Sequence, residues 1–132
     1  MPHDLLVEKA ITLRDTLAKL EYELKASQYE PTLKNTYLLQ QLDYACKTCV
    51  ALGYQWVLAH DVLSNKNELA IFQKLVETKV IDIALSKRLL SLIAFRKLIR
   101  EASLIKGKNI YLKITSRHLE DFHTFTQNVL LA

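Results

Sequence analysis

Apolar residues recur at every third or fourth position through most of the chain, the spacing that places them on one face of an α-helix. In residues 4–26 this stripe consists of Leu6, Ala10, Leu13, Leu17, Leu20 and Leu24. Pro31 interrupts the pattern, because the residue before a proline avoids the helical region. Residues 33–63 form the longest run and are apolar on nearly every side. We therefore expect a first amphipathic helix followed by a central helix.

Three further helices are predicted after the central one. They cover residues 67–77, 83–104 and 109–130. A turn over residues 78–82 precedes the fourth helix, and Gly107 follows it, since glycine is a common helix stop. The apolar face of the fifth helix holds Ile110, Ile114, Phe122, Phe125 and Val129. The pattern thus predicts one all-α domain over residues 1–132, an up-and-down bundle of about five helices.

Gly53 lies in the middle of the predicted central helix. Glycine there costs about 1 kcal/mol relative to alanine. Such a glycine usually lets another helix approach closely, so we predict a tight helix crossing at this position.

The composition supports a helical, globular protein. Of the 132 residues, 50% are hydrophobic and 24% are charged, which excludes a disordered chain. Two glycines and two prolines supply few turns, which argues against a many-stranded β fold. The apolar stretches are far shorter than the ~20 residues that cross a bilayer, and the first residues lack a secretory signal. We expect a cytoplasmic protein with no membrane partner.

Positive charge is concentrated in one part of the chain. Residues 87–117 contain nine lysines and arginines against a single acid, Glu101. A segment with this balance suits a phosphate-rich or acidic partner. The alternative is a solvated helix face in a basic protein.

The usual signatures of a metal or redox site are incomplete. Cys46 and Cys49 have the spacing of a half-motif, but they lie within a predicted helix and no second pair completes a zinc site. The histidines lack metal-ligand spacing. We interpret the cysteines as buried packing residues and expect neither a metal nor a cofactor.

The fourth predicted helix carries the most informative residue. Its stripe runs through Leu85, Leu89 and Leu92 and continues with Ile99 and Ser103, and Arg96 takes the position between Leu92 and Ile99. A guanidinium on a buried stripe is costly unless it faces a partner, a cleft or a counter-charge. Arg100 lies one turn later, so the two cations suit a bound anion. The alternative is a long side chain that reaches solvent from the edge of the stripe.

Four segments, taken in order, resemble a known family. They are residues 37–45 of the central helix, residues 71–82, residues 92–97 and residues 110–114. The second is similar to the family's "FelLaeegvid" segment, and the third, which ends in Phe95, Arg96 and Lys97, is similar to its "vgfRN". The chain thereby resembles the HepT-like branch of the HEPN superfamily (higher eukaryotes and prokaryotes nucleotide-binding domain) over nearly its whole length.

The resemblance implies a function. Members of this branch are metal-independent endoribonucleases, usually the toxins of toxin–antitoxin pairs, and they face Arg-x(4–6)-His motifs across a dimer cleft. Their antitoxin is a small nucleotidyltransferase of the MNT type, which can add AMP to a tyrosine two residues beyond the histidine. The arginine holds the scissile phosphate, and the histidine can move a proton.

This chain departs from that motif. Arg96 matches the arginine and Lys97 replaces the usual asparagine. With a one-residue gap Arg100 stands at the histidine, and without the gap Glu101 stands there. Ala102 replaces the modifiable tyrosine. Arginine cannot shuttle protons near neutral pH, because its pKa lies above about 12. The resemblance thus implies impaired cleavage and no AMP addition at the usual tyrosine.

The predicted site residues follow from this alignment. The catalytic positions are Arg96, for phosphate and transition-state binding, and Arg100, at the motif histidine position. The predicted RNA-binding residues are Lys97, Glu101, Lys87 and Arg88. His118, on the following helix, is a remote candidate for the missing base.

We expect a degenerate HepT-like protein that binds RNA or a nucleotidyltransferase antitoxin. The alternatives are an active endoribonuclease toxin with a rearranged site and a non-catalytic protein-interaction bundle. We also expect a homodimer formed mainly through the fourth helix and its neighbours. Its apolar residues, with those of the central helix, offer more area than a small bundle needs.

Overall fold

The described part of the chain is built from helices. The computed structural model describes the backbone of residues 2–27, 35–60, 67–102 and 108–132 and the side chains of residues 4–22, 40–60, 67–94 and 119–132. The described residues form five α-helices: α1 (Pro2–Ser27), α2 (Asn35–His60), α3 (Glu68–Glu77), α4 (Ile83–Ala102) and α5 (Lys108–Leu131). The predicted all-α, up-and-down bundle is confirmed, and each predicted helix is present with ends shifted by a few residues.

The central position of α2 is confirmed by its contacts with all four other helices. Its buried side chains are Leu42, Ala45, Cys46, Thr48, Cys49, Leu52, Trp56 and Val57. α1 packs against α2 and α5, and α4 packs against α2, α3 and α5. α1 and α4 therefore lie on different sides of the bundle.

The apolar stripes predicted for the outer helices lie in this core. In α1 the buried residues are Leu6, Ala10, Leu13, Thr16, Leu17 and Leu20, and in α5 they are Phe122, Phe125, Thr126 and Val129. The Phe125 ring stacks against Phe72 of α3 with 5.6 Å between the ring centroids. The side chains of Leu24, Ile110 and Ile114 lie outside the described residues.

Gly53 is at the tight crossing that its position predicted. A Cβ atom added there would lie 3.2 Å from Ile71 Cγ2, 3.2 Å from Leu75 Cδ1 and 3.4 Å from Phe125 Cζ. These three atoms belong to α3 and α5, so both helices approach α2 at this glycine. A side chain longer than one methyl group has no room between them.

The turn between α3 and α4 fixes where α4 begins. Lys79 has φ 64°, a left-handed conformation that ends α3, and the Val80 amide donates to the Leu75 carbonyl at 2.9 Å. Asp82 then caps α4, because its Oδ1 accepts a hydrogen bond from the Leu85 amide at 2.7 Å. Local hydrogen bonds thus set where α3 ends and where α4 begins.

The predicted dimer was argued from the apolar residues of α4, and this argument does not hold for the half of α4 with described side chains. Leu85, Leu89, Leu92 and Ile93 are all buried within the chain itself. Their apolar area is consumed by packing against neighbouring helices of the same molecule, so it is not available to a second copy.

Candidate functional site

The candidate site follows the last buried residues of α4 that have described side chains, Leu92 and Ile93. α4 remains helical through Ala102, so its helical repeat continues past the buried residues. Arg96 follows Leu89 by seven residues, and Arg100 follows Ile93 by seven. Seven residues are close to two turns, so both arginine positions continue the line that faces the core. The side chains of Arg96, Lys97, Arg100 and Glu101 themselves lie outside the described residues.

Lys97 and Glu101 occupy a different line of the same helix. Leu90 and Ala94 precede them at spacings of four, three and four residues. Leu90 and Ala94 line a shallow cleft of about 530 Å³, together with Asn67, Glu68 and Leu69 at the start of α3. The positions of Lys97 and Glu101, predicted to bind RNA, therefore continue the line of α4 that borders the cleft. The positions of Arg96 and Arg100 continue the line that faces the core.

Arg88 already has an intramolecular partner. Its Nε donates a hydrogen bond to Asp121 Oδ2 of α5 at 3.1 Å, and this contact, with the carboxylate charge, raises the pKa of the guanidinium. The Asp121 side chain is only 14% exposed. Arg88 therefore ties α4 to α5 while its outer edge faces solvent.

Lys87 is exposed, but it lies on the far side of the helix from Arg96. The two residues are nine positions apart, which is two and a half turns, so their positions lie on opposite sides of α4. Lys87 could touch the backbone of a long RNA. It does not share a face with Arg96 that would converge on one phosphate.

The two cysteines are buried, as their position in the sequence indicated. Burial, followed by the neighbouring Cys46, raises the pKa of the Cys49 thiol well above its ordinary value. A thiol in this state is protonated and is a poor nucleophile or metal ligand at neutral pH. Their predicted role as packing residues is confirmed.

The two histidines with described side chains make structural contacts. His60 stacks on Trp56, with ring centroids 4.1 Å apart and planes 12° apart, and its Nδ1 lies 2.9 Å from the Trp56 carbonyl oxygen. His123 Nε2 lies 2.8 Å from Glu21 Oε1 and joins α5 to α1. The side chain of His118 lies outside the described residues.

Sequence analysis did not find the two interhelical pairs, Arg88 with Asp121 and His123 with Glu21. The partners are 33 and 102 residues apart in the chain, and each is an ordinary charged residue on the outer part of an amphipathic helix. Nothing in a single sequence distinguishes such a residue from a solvated one.

Among the described residues, no three or more His, Cys, Asp or Glu side chains lie together in a way that could hold a metal ion. Within residues 2–27, 35–60, 67–102 and 108–132, every helix is too short or too polar to span a bilayer.

Comparison with known proteins shows the fold. No protein-family model and no curated protein matches the chain. Among solved structures, the chain is similar to YutE from Bacillus subtilis, described as a cytosolic protein of unknown function. The TM-score is 0.68 at 16% sequence identity, and the match covers 91% of this chain and 87% of YutE. Similarity at this identity extends to the helical arrangement and not to an activity.

Proposed function

We propose that this chain is a HepT-like helical protein that binds RNA phosphates through Arg96 and Arg100 and is impaired in RNA cleavage. One observation carries the proposal. The last buried residues of α4 with described side chains are Leu92 and Ile93, and Arg96 and Arg100 hold the positions two turns after Leu89 and Ile93 in a helix that continues through Ala102.

The cost of placing charge in that line favours an anionic ligand. A guanidinium withdrawn from water needs a counter-charge, since an unpaired buried charge costs several kcal/mol. Two arginines one turn apart offer convergent donors that suit phosphate oxygens. Residues 87–117 hold nine basic residues and one acid, which favours a polyanion over a single acidic side chain.

Impaired cleavage follows from the chemistry of arginine. Cleavage of RNA without a metal needs a group that can accept and donate a proton near neutral pH. Arginine stays protonated in this range, so the pair can hold a phosphate and its developing charge but cannot replace a histidine base.

The proposal includes the partners implied by the family resemblance. These are a second copy of the chain, a minimal MNT-type nucleotidyltransferase as antitoxin and RNA, all in the cytoplasm. The description of YutE as cytosolic is consistent with this location for this chain.

The decisive experiment measures RNA binding and cleavage together. Fluorescently labelled single-stranded RNA is titrated with the wild-type protein and Arg96→Ala in EDTA, and the same samples are then run on denaturing gels. We expect binding with little or no cleavage. Arg96→Ala should bind about tenfold more weakly, with a salt slope reduced by about one.

Arg14→Ala is the matched control. It removes the same charge from the exposed surface of α1, a helix that does not contact α4 in the described structure. Equal losses in the two variants would show that only net charge matters. Brisk cleavage by the wild type that survives Arg96→Ala would place the chemistry elsewhere and contradict the proposal.

A further inference from the structure

The cleft between the start of α3 and the middle of α4 combines apolar walls with one carboxylate. Leu69, Leu90 and Ala94 form its apolar part, and Asn67 and Glu68 form its polar part. Leu69 is 54% exposed, so it offers apolar surface that the chain itself leaves uncovered. The volume of about 530 Å³ falls in the ~300–1,000 Å³ range of small-molecule sites. The cleft is therefore large enough for one planar organic group.

Local structure fixes the polar side of the cleft. Asn67 caps α3, because its Oδ1 accepts a hydrogen bond from the Leu69 amide at 2.7 Å. Glu68 is the first residue of α3. The same helix is held in the core by its buried residues, which are Ile71, Phe72 and Leu75. Both polar residues of the cleft thus belong to the anchored start of a helix.

The cleft lies next to the basic part of the chain. Ala94 is the lining residue nearest the end of α4, and Lys97 holds the position three residues later, about 4.5 Å along the helix axis. Arg96 is the residue before Lys97. An RNA whose phosphates are held at these positions therefore carries a base close to the cleft.

Glu68 determines which part of an RNA the cleft accepts. A carboxylate repels a phosphate, but it accepts hydrogen bonds from the N–H groups of a base. It has about four lone-pair sites, so Glu68 can accept from a base beside the interaction that it already makes in the chain. Among the four RNA bases, guanine alone presents two adjacent donors, N1–H and N2–H, on its Watson–Crick edge. Two carboxylate oxygens match these two donors.

We propose that this cleft takes an unstacked guanine base of single-stranded RNA. Leu69 and Leu90 pack against the base, and the Glu68 carboxylate accepts from its N1–H and N2–H. The inference rests on the proposed function for the neighbouring phosphate contacts. It adds a sequence preference, which contacts to phosphate cannot supply.

The first test changes one base. Short uridine oligonucleotides carrying guanosine, inosine, adenosine, cytidine or uridine at the central position are titrated with the wild-type protein. We expect the guanosine oligonucleotide to bind about tenfold more tightly than the other four. Inosine keeps N1–H and lacks the N2 amino group, so it tests the second hydrogen bond. The preference should be the same at low and high salt, because oligonucleotides of equal length release the same counterions.

The second test removes the acceptor pair. Glu68→Gln exchanges one acceptor oxygen for an NH₂ donor, so it should abolish the guanine preference while the uridine oligonucleotide still binds. Glu77→Gln is the matched control. Glu77 lies at the other end of α3, where it pairs with Lys74 at 3.7 Å, and this variant should keep the preference.

The third test fills the cleft from α4. Ala94→Leu should weaken binding of the guanosine oligonucleotide to the level of the uridine one, because the added side chain occupies the space of the base. Ala84→Leu is the matched control, since Ala84 is exposed on the same helix and lies outside the cleft lining. Circular dichroism confirms that both variants fold.

A nucleotide titration separates this inference from the proposed function. Guanosine 5′-monophosphate or inosine 5′-monophosphate is added to the isotope-labelled full chain, and NMR follows the methyl signals of Leu69, Leu90 and Ala94. The guanosine nucleotide should shift these signals to saturation, and the inosine nucleotide should shift them much less. Because no RNA is present, this result stands even if RNA binding fails.

Three results would overturn the proposal. They are equal affinity for all five oligonucleotides, a guanine preference that Glu68→Gln leaves intact, and methyl signals that guanosine 5′-monophosphate does not shift. Arg96→Ala should weaken binding of every oligonucleotide by the same factor and leave the preference unchanged. Its outcome therefore concerns the phosphate contacts of the proposed function alone.

Discussion

α2 packs an apolar face against the other helices from Leu42 to Val57. In α4 the described buried residues run from Leu85 to Ile93, and Arg96 and Arg100 are at later positions of the same helical line. The position of α2 is therefore set by packing along the length with described side chains. In α4 the half with described side chains is set by packing and begins at the Asp82 cap. The proposed function assigns the arginine positions of the following half to binding, so in α4 the two tasks would divide along one helix.

The largest expected effect is at the tight crossing of α2. Gly53→Leu should lower the free energy of unfolding by about 3 kcal/mol, because the new side chain must displace Ile71, Leu75 and Phe125. Gly53→Ala should be nearly neutral, since a gain of about 1 kcal/mol in helix propensity offsets contacts at 3.2 Å with flexible side-chain ends. Urea denaturation of the three proteins measures both differences. A Gly53→Leu variant as stable as the wild type would contradict the conclusion that packing sets the position of α2.

Much of this fold is predictable from the sequence because its elements are long and amphipathic. The stripe from Leu6 to Leu20 is buried as its spacing predicts. Gly53 lies at a tight helix crossing, as a glycine in the middle of a helix usually indicates. The turn over residues 78–82 was also predicted, although it uses Lys79 and not glycine in the left-handed conformation.

The site was less predictable. Spacing placed Arg96 in the line of Leu89, but it could not show that Arg88 pairs with Asp121, because that contact depends on how α5 lies against α4. The apolar residues of α4 also gave a misleading argument for a dimer, since the sequence alone does not say which helix covers them. In the structure Leu85 and Leu89 are covered by the same chain.

The next effect concerns the proton-transferring group that the arginine line lacks. Arg100→His would place a group that titrates near pH 6.5 one turn from Arg96. Acid–base assistance is typically worth 10²–10⁴-fold, and the spacing is one residue shorter than the family motif, so we expect about a 10²-fold gain in metal-free RNA cleavage. The rate should depend on pH around neutrality.

Arg100→Gln is the control for this gain, because it removes the charge without adding a titrating group. A gain in Arg100→Gln equal to that in Arg100→His would mean that loss of positive charge, not proton transfer, accelerates cleavage. The double variant Arg96→Ala/Arg100→His should lose the activity again.

A smaller effect tests whether Arg96, while binding RNA, lowers the free energy of unfolding of the protein. Arg96→Leu extends the apolar line of α4, and replacing a charge in such a position with a hydrophobic residue is often stabilising. We expect the free energy of unfolding to rise by about 1 kcal/mol while RNA affinity falls as in Arg96→Ala. Loss of stability in Arg96→Leu would show that the guanidinium already has a counter-charge inside the chain, and the argument for an external anion would fail.

The smallest expected effect lies in the turn that starts α4. Lys79 has φ 64°, a conformation that costs a residue with a Cβ roughly 1 kcal/mol and costs glycine almost nothing. Lys79→Gly should therefore stabilise the protein by about 0.5 kcal/mol, after the greater freedom of glycine in the unfolded chain is subtracted.

Thr78→Gly is the matched control. Thr78 has φ −87°, and its hydroxyl donates to the Lys74 carbonyl at 2.8 Å, so this variant should lose about 1 kcal/mol. RNA affinity should be the same in both variants, since Asp82 still caps the start of α4 in each. A change in affinity would mean that the turn itself affects the orientation of the arginine line.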